Sequence, residues 1–146
     1  MSAAVSRAPA PLLREGSEFW NELTEECKRQ VETINSIVSH NGLSGDLCIR
    51  CTTGPELRMS KLGCPSTLVS VRIGFFSWGP MLSLAITGRR NDDAEFLPAE
   101  CEMPIARDGD GSVIAIFEEG RSFSPRELAS YLTQSFRRCY PGLPLH

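Results

Sequence analysis

The chain has 146 residues, a length that fits one domain built around a single hydrophobic core. Its hydrophobic fraction of 41% and charged fraction of 23% are ordinary for a globular protein, and no apolar run approaches the roughly 20 residues that cross a bilayer. A net charge of −3 provides no positive field to attract phosphate backbones. We therefore expect a protein that binds neither nucleic acid nor membranes.

The first segment, residues 1–15, is rich in Ala, Pro and Ser and lacks the apolar stretch of a secretory signal. It predicts a flexible leader, followed by a single domain over residues 16–140 and a short tail over 141–146. The six cysteines fall below the density of about 8% that is typical of secreted disulfide scaffolds. Reduced thiols in a cytoplasmic protein are the expectation.

The segment from Ser17 to Asn41 has the periodicity of an amphipathic helix. Its apolar residues recur at steps of three and four, as expected for one helix face. They are Phe19, Trp20, Leu23, Cys27, Val31, Ile34 and Val38. Ser17 is the predicted N-cap, and Asn41-Gly42 supplies the left-handed exit that commonly ends a helix.

After this helix the apolar period changes to two, the period of a half-buried strand. The segments that alternate in this way, or are apolar throughout, are 47–52, 57–59, 69–76, 82–87, 100–105 and 113–117. Short turns join most of them, and such turns favour antiparallel pairing because parallel strands need long crossovers. The pattern predicts an antiparallel meander of five or six strands.

A second helix is predicted to begin at Ser124-Pro125. Ser124 and Glu127 have the spacing of a capping box, and Pro125 takes the first helical position, where its missing N–H costs nothing. Phe123 and Leu128 stand at the two positions of a hydrophobic staple. The apolar face continues to Cys139, and Pro141-Gly142 ends the helix.

Together these elements predict an α+β fold, a two-layer sandwich with an N-terminal and a C-terminal helix packed on one face of the sheet. The other face of the sheet is predicted to be polar. Its members are Arg50, Thr52, Ser70, Arg72, Ser83, Thr87, Glu100 and Glu102. We expect Glu100 and Glu102 to pair across strands with Arg50 or Arg72.

Cys48 and Cys51 form a Cys-x-x-Cys pair that suggests a metal site, with Cys64 and His40 completing four ligands. The pair lies in a segment that alternates as a strand, so the two sulfurs are expected on opposite faces, with Cys51 inside and Cys48 outside. A redox site is disfavoured because a turn, rather than a helix, follows the pair. Free thiols that pack are the main expectation.

Other catalytic or ligand-binding patterns are weaker. The acidic loop beginning at Asp108 resembles a calcium loop, but Val113 occupies the position that needs Gly, so a hairpin turn is favoured. The chain has two histidines and neither a nucleophile elbow nor a phosphate-binding glycine motif. We predict no catalytic residues and no cofactor.

Phe76 and Trp78 lie at a predicted hairpin tip, with Phe76 on the face away from the helices. Exposed aromatics at a rigid turn are typical of interaction hot spots, although Trp78 could instead fold back over the core. The leading hypothesis is a non-enzymatic protein-interaction module or homodimer, with Phe76, Trp78, Arg72 and Arg50 at its binding surface. A small-ligand pocket between sheet and helices is the alternative, and a metal protein using the cysteine cluster is the second alternative.

Overall fold

The computed structural model describes residues 9–45, 48–62, 64–87, 100–117 and 120–138. Two helices, α1 (Pro9–His40) and α2 (Pro125–Arg138), bracket seven strands. The strands are β1 (Ile49–Thr52), β2 (Glu56–Lys61), β3 (Cys64–Phe76), β4 (Gly79–Thr87), β5 (Glu100–Arg107), β6 (Val113–Ile116) and β7 (Ser122–Phe123). The predicted α+β class is confirmed, with one strand more than the five or six expected. In the described part, neither helix is long and apolar enough to cross a membrane.

The sheet is an antiparallel meander in which spatial order follows chain order from β1 to β7. The unpredicted strand, β7, has two residues that pair Phe123 with Ala115 and Ser122 with Ile116. A two-residue strand has no periodicity to detect, and the sequence assigns Phe123 only to the hydrophobic staple of the second helix. Both helices lie on one face of the sheet, here called the inner face.

Helix α1 buries the apolar face that its sequence predicts. Six of the seven predicted positions are buried and Trp20 is half-buried against the same core. The strands contribute side chains from one face only, and α2 completes the core. Its fully buried large side chains are Phe19, Leu23, Leu57, Met59, Leu82, Met103, Leu128, Leu132, Val38 and Val69.

The start of α1 differs from the prediction. Helix α1 begins at Pro9, so residues 9–15, predicted to be a flexible leader, are helical. Both Pro9 and Pro11 fall in the first turn, where backbone N–H groups have no intrahelical partner and proline is tolerated. Ser17 is therefore inside the helix, and its hydroxyl donates to the Leu13 carbonyl at 3.2 Å. Residues 1–8 and the predicted tail lie outside the described residues.

The N-terminal part of α1 is anchored against the sheet. Glu15 is 5% exposed, and its carboxylate forms an ion pair with Arg107 of β5. Arg107 also donates to the Gly111 carbonyl at 3.0 Å, so this contact connects the helix to the β5–β6 turn. Gly16 is buried against Pro80 and Phe75. The helix thereby holds the base of the β3–β4 hairpin.

Gly16→Ala is expected to destabilise the protein, although glycine to alanine in a helix usually stabilises by about 1 kcal/mol. A Cβ at Gly16 would lie 2.7 Å from the Pro80 Cβ and 3.0 Å from the Phe75 ring. Proline cannot rotate away, so we expect a net loss of about 1–3 kcal/mol in the free energy of unfolding. Urea denaturation followed by circular dichroism measures it. Ser17→Ala, one exposed residue further along, is the control; a Gly16→Ala variant as stable as the parent would contradict the close contact.

The predicted capping box of α2 is present. The Ser124 amide donates to the Glu127 carboxylate at 2.8 Å, and the Glu127 amide donates to the Ser124 hydroxyl at 3.1 Å. Phe123 and Leu128, the predicted staple positions, are both buried. The local sequence therefore fixes where α2 begins and how it enters the core.

A polar network joins the two helices. The Gln30 amide donates to the Ser130 hydroxyl at 3.0 Å, and the buried Thr133 hydroxyl donates to the Gln30 oxygen at 2.7 Å. Arg126 lies 3.7 Å from Glu26, whose pKa is lowered chiefly by a hydrogen bond from Arg29. These contacts set α2 beside α1 on the inner face and leave the opposite, outer face of the sheet uncovered by either helix.

Candidate protein-interaction surface

The outer face is built from the residues that alternate with the core positions of β1 to β5. Strand register aligns these residues in rows across the sheet, so their positions relative to one another are defined. One row runs Thr52, Arg58, Ser70, Ala85 and Glu100, and the next runs Glu56, Arg72, Ser83 and Glu102. The predicted polar face therefore exists, and the members of these rows on β3, β4 and β5, together with Glu56, line an open groove.

One half of this face is basic. Arg50, Arg58 and Arg72 lie on β1, β2 and β3, and all three are exposed. Glu56 lies among them, 3.2 Å from Arg72 and 3.6 Å from Arg58, and accepts a hydrogen bond from the Ser70 hydroxyl. That hydroxyl, followed by the two guanidinium groups, lowers the pKa of Glu56, so the carboxylate is charged at neutral pH. This half carries an excess of positive charge.

The other half is acidic. Glu100 and Glu102 point outward from β5, and neither forms an ion pair with any described residue. The expected cross-strand pairing with Arg72 is wrong, because Arg72 pairs with Glu56 on the neighbouring strand instead. Ser83 and Ala85 on β4 separate the two halves. The face is thus divided into a basic side and an acidic side.

An aromatic stack ends the outer face at the β3–β4 hairpin. Phe76 and Trp78 are 44% and 56% exposed, and their rings stack with centroids 5.1 Å apart and planes 3° apart. A Cβ at Gly74 would lie 2.9 Å from the Phe76 ring, so this ring lies along the outer face over Gly74. Trp78 does not fold back over the core, which was the competing sequence interpretation.

The hairpin that carries the stack is held in place from the inner side. Phe75, the neighbour of Phe76, points toward α1 and contacts Gly16 together with Pro80. Pro80 and Gly79 are buried, and Gly79 has a φ of 135° that favours glycine. The backbone that carries the two exposed rings is therefore held in place by these contacts with α1. Such rigid aromatic surface costs little conformational entropy when a partner covers it.

Both edges of the described sheet offer little backbone for strand addition. On β1 the Asn35 amide bonds to both backbone groups of Ile49, accepting from its N–H at 2.8 Å and donating to its carbonyl at 3.0 Å. Trp20 donates to the Gly54 carbonyl just beyond this strand at 3.2 Å. The other edge, β7, is two residues long and leads directly into α2. An extended partner segment thus finds no long free edge in the described sheet.

The predicted metal ligands are spread over three elements. His40 is exposed at the end of α1, with its Nδ1 2.8 Å from the Ser36 carbonyl. Cys51 packs against the core from β1, and Cys64 opens β3 opposite Lys61, with a side chain outside the described residues. Among the described residues no three His, Cys, Asp or Glu side chains are grouped closely enough to hold a metal ion. A metal site that includes Cys64 as a ligand stays a prediction.

Cys48 does not lie on the outer face as predicted. It immediately precedes β1, and its amide bonds to the Gly45 carbonyl at 3.0 Å. Strand alternation does not apply to it there, and it packs against the core, as Cys51 does. Cys27, Cys48 and Cys51 are free thiols. Burial raises the pKa of Cys27 to about 12 and also raises that of Cys51, so both thiols are protonated at neutral pH.

The acidic loop after β5 is a hairpin turn, as predicted. Asp108 accepts the Asp110 amide at 3.3 Å, and Asp110 accepts the Ser112 amide at 2.9 Å. The Ser112 bond lowers the pKa of Asp110. Both carboxylates accept hydrogen bonds from backbone amides of their own turn, as is common for Asp in turns.

Sequence reasoning missed Glu56 and Arg58 on the outer face and Asn35 at the β1 edge. Glu56 and Arg58 alternate with the apolar Leu57 and Met59, so a stricter reading of that short strand could have placed them outside. Asn35 carries no sequence signal, because its role depends on the strand that α1 happens to cross. Comparisons of the chain with protein-family models, with curated proteins and with solved structures find no match.

Proposed function

We propose that this protein is a non-enzymatic protein-interaction module that binds through the outer face of its sheet. The exposed Phe76–Trp78 stack carries this proposal, since two large aromatic rings on a rigid base are the type of surface that supplies most of the binding energy in protein interfaces. The flanking arginines and glutamates would form the polar rim. The free thiols of Cys27, Cys48 and Cys51 favour a reducing, cytoplasmic location.

The short and partly covered edges support face binding over strand addition. Asn35 occupies both backbone groups of Ile49 on β1, and β7 offers only two residues. The helices cover the inner face, so among the described surfaces the outer face is the extended one that a folded partner can reach. Its mixed charges would give specificity and faster association.

Site-specific photocrosslinking tests the proposal. We expect Trp78→p-benzoylphenylalanine, expressed in cells, to yield discrete protein adducts because the side chain at 78 would lie within an interface. Leu62→p-benzoylphenylalanine is the matched control: Leu62 is 46% exposed but lies in the turn at the opposite end of β3. Adducts are counted on denaturing gels and identified by mass spectrometry.

Trp78→Ala provides the complementary measurement. Since the ring is exposed and outside the core, we expect the variant to keep the parent stability within about 0.5 kcal/mol. Loss of co-purification with the partner that crosslinking identifies, with the fold retained, supports the proposal. Equal adduct yields from positions 78 and 62 would refute it.

A further inference from the structure

We infer that three aromatic side chains between β7 and α2 form a binding site for a methylated ammonium cation, and that Arg121 occupies this site in the free protein. The rings belong to Phe117, Phe123 and Tyr131, and together they are called the aromatic bowl. Phe117 and Phe123 belong to the hydrophobic core and Tyr131 packs against it. The bowl is therefore separate from the outer face, and the inference does not depend on the proposed function.

The three rings of the bowl share one cation. The central carbon of the Arg121 guanidinium lies over all of them, 5.4 Å from the Phe117 centroid, 5.7 Å from the Phe123 centroid and 5.5 Å from the Tyr131 centroid. The Phe123 plane is inclined by 45° to that of Phe117 and by 67° to that of Tyr131, so the surface is not flat. Aromatic faces attract cations within about 6 Å. The bowl thus already holds a positive charge.

The distances in the bowl fit a methylated ammonium better than a guanidinium. Carbon atoms in contact lie about 3.5–4.0 Å apart and a nitrogen lies about 1.5 Å from its methyl carbons, so a methylated ammonium nitrogen lies about 5 Å from a ring that its methyl groups touch. A guanidinium is planar and stacks on one ring at a time. The tetrahedral group can touch three inclined rings at once, and aromatic sites are the common means of recognising quaternary ammonium ligands.

Arg121 is held by its backbone rather than by its guanidinium. The Phe117 amide donates to the Arg121 carbonyl at 2.8 Å, which fixes the main chain at this position. Arg121 is exposed, and its guanidinium forms no ion pair with a carboxylate among the described residues. Rotation of this side chain into solvent would therefore uncover the bowl without moving the backbone or the core.

An open groove of about 460 Å³ adjoins the bowl along the first turns of α2. Phe123 and Tyr131 line both the bowl and the groove, so a cation in the bowl can extend the rest of its molecule into the groove. The other lining side chains of the groove are polar, and they are Ser122, Arg126, Glu127 and Ser130. The same chemistry is offered by a small free cation such as choline and by a trimethylated lysine side chain.

Calorimetric titration with choline tests the inference. We expect Arg121→Ala to bind choline about fivefold more tightly than the parent, because apparent affinity falls with the fraction of molecules whose site is free. Arg121→Gln repeats the comparison with an uncharged polar side chain. Arg50→Ala removes an exposed arginine of β1 and is the matched control, which should bind choline as the parent does. Circular dichroism confirms that each variant is folded.

Two further measurements separate a cation site from a general apolar pocket. The neutral isostere of choline, 3,3-dimethyl-1-butanol, is expected to bind Arg121→Ala about tenfold more weakly, because attraction by the ring faces requires a charge. Tyr131→Leu in the same background keeps an apolar side chain and removes one ring, and we expect it to weaken choline binding. Tyr131→Phe keeps the ring and should bind choline. An upfield shift of the choline methyl protons by nuclear magnetic resonance locates the ligand over the rings.

A short peptide containing trimethyllysine distinguishes the two sources of the cation. Tighter binding of the peptide than of choline assigns the site to a modified protein side chain, and equal or weaker binding assigns it to a small free cation; both results support the site. No binding of choline by Arg121→Ala, or equal binding of choline and the neutral alcohol, would overturn the cation site. Equal choline affinity of the parent and Arg121→Ala would overturn the assignment of Arg121 as the occupant.

Discussion

Leu23→Ala is expected to cost about 2–5 kcal/mol in the free energy of unfolding, the range for a fully buried leucine whose cavity the surroundings cannot refill. Leu23 is 0% exposed in the middle of α1, where the helix packs between the sheet and α2. Alanine is the best helix former, so the substitution does not weaken the helix itself. The loss in the free energy of unfolding therefore measures how well the Leu23 side chain is packed in the core.

Urea denaturation of Leu23→Ala, followed by far-ultraviolet circular dichroism, gives this number. Leu13→Ala is the control, because it makes the same chemical change on the same helix at a side chain that is 41% exposed. We expect the control to lose less than about 1 kcal/mol. Similar losses in the two variants would mean that α1 does not pack as described.

Asn35→Ala is expected to cost about 2–4 kcal/mol, since it leaves the N–H and C=O of Ile49 without their partner and each unmet buried backbone group costs about 1–3 kcal/mol. Ile49 is 3% exposed, so water can replace the amide only poorly. The substitution also uncovers the β1 edge. A second effect, strand-to-strand association through that edge, is expected to follow.

Both effects are measurable with one variant. Denaturation gives the stability loss, and static light scattering at increasing concentration gives the association. Asn21→Ala, an exposed asparagine on the same helix, is the control and should change neither quantity. A stability loss below about 1 kcal/mol for Asn35→Ala would show that solvent replaces the amide at Ile49, and the edge would then not depend on Asn35.

Sequence predicts those parts of this fold whose cause is local or periodic. The buried stripe of α1, from Phe19 to Val38, follows from helical spacing alone, and the capping box of Ser124 and Glu127 follows from two residues three apart. The antiparallel meander follows from the short turns that join most successive strands. Each of these features is decided by residues that are near one another in the chain, so no knowledge of the tertiary structure is required.

The features that sequence does not predict depend on which segments meet. Pro9 and Pro11 suggest a break, yet in the first turn of a helix they are harmless, and the buried Glu15 pairs with an arginine some ninety positions away in β5. Arg72 lies opposite Glu56 on β2 and Ser83 on β4, and its ion pair with Glu56 depends on this strand register, which the sequence does not show. Trp78 could cover the core or stack on Phe76, and both choices fit the same sequence.

The chain order of the two helices has a consequence for folding during synthesis. Gln30 finds its partners at Ser130 and Thr133, about a hundred residues later, which a ribosome adds in roughly 5–20 s. The β-meander can grow hairpin by hairpin as it emerges, because each strand pairs with its predecessor. The apolar stripe of α1 has to wait for its final cover. During that interval part of the stripe lacks its cover, and docking of α2 beside α1 is the step that completes the core.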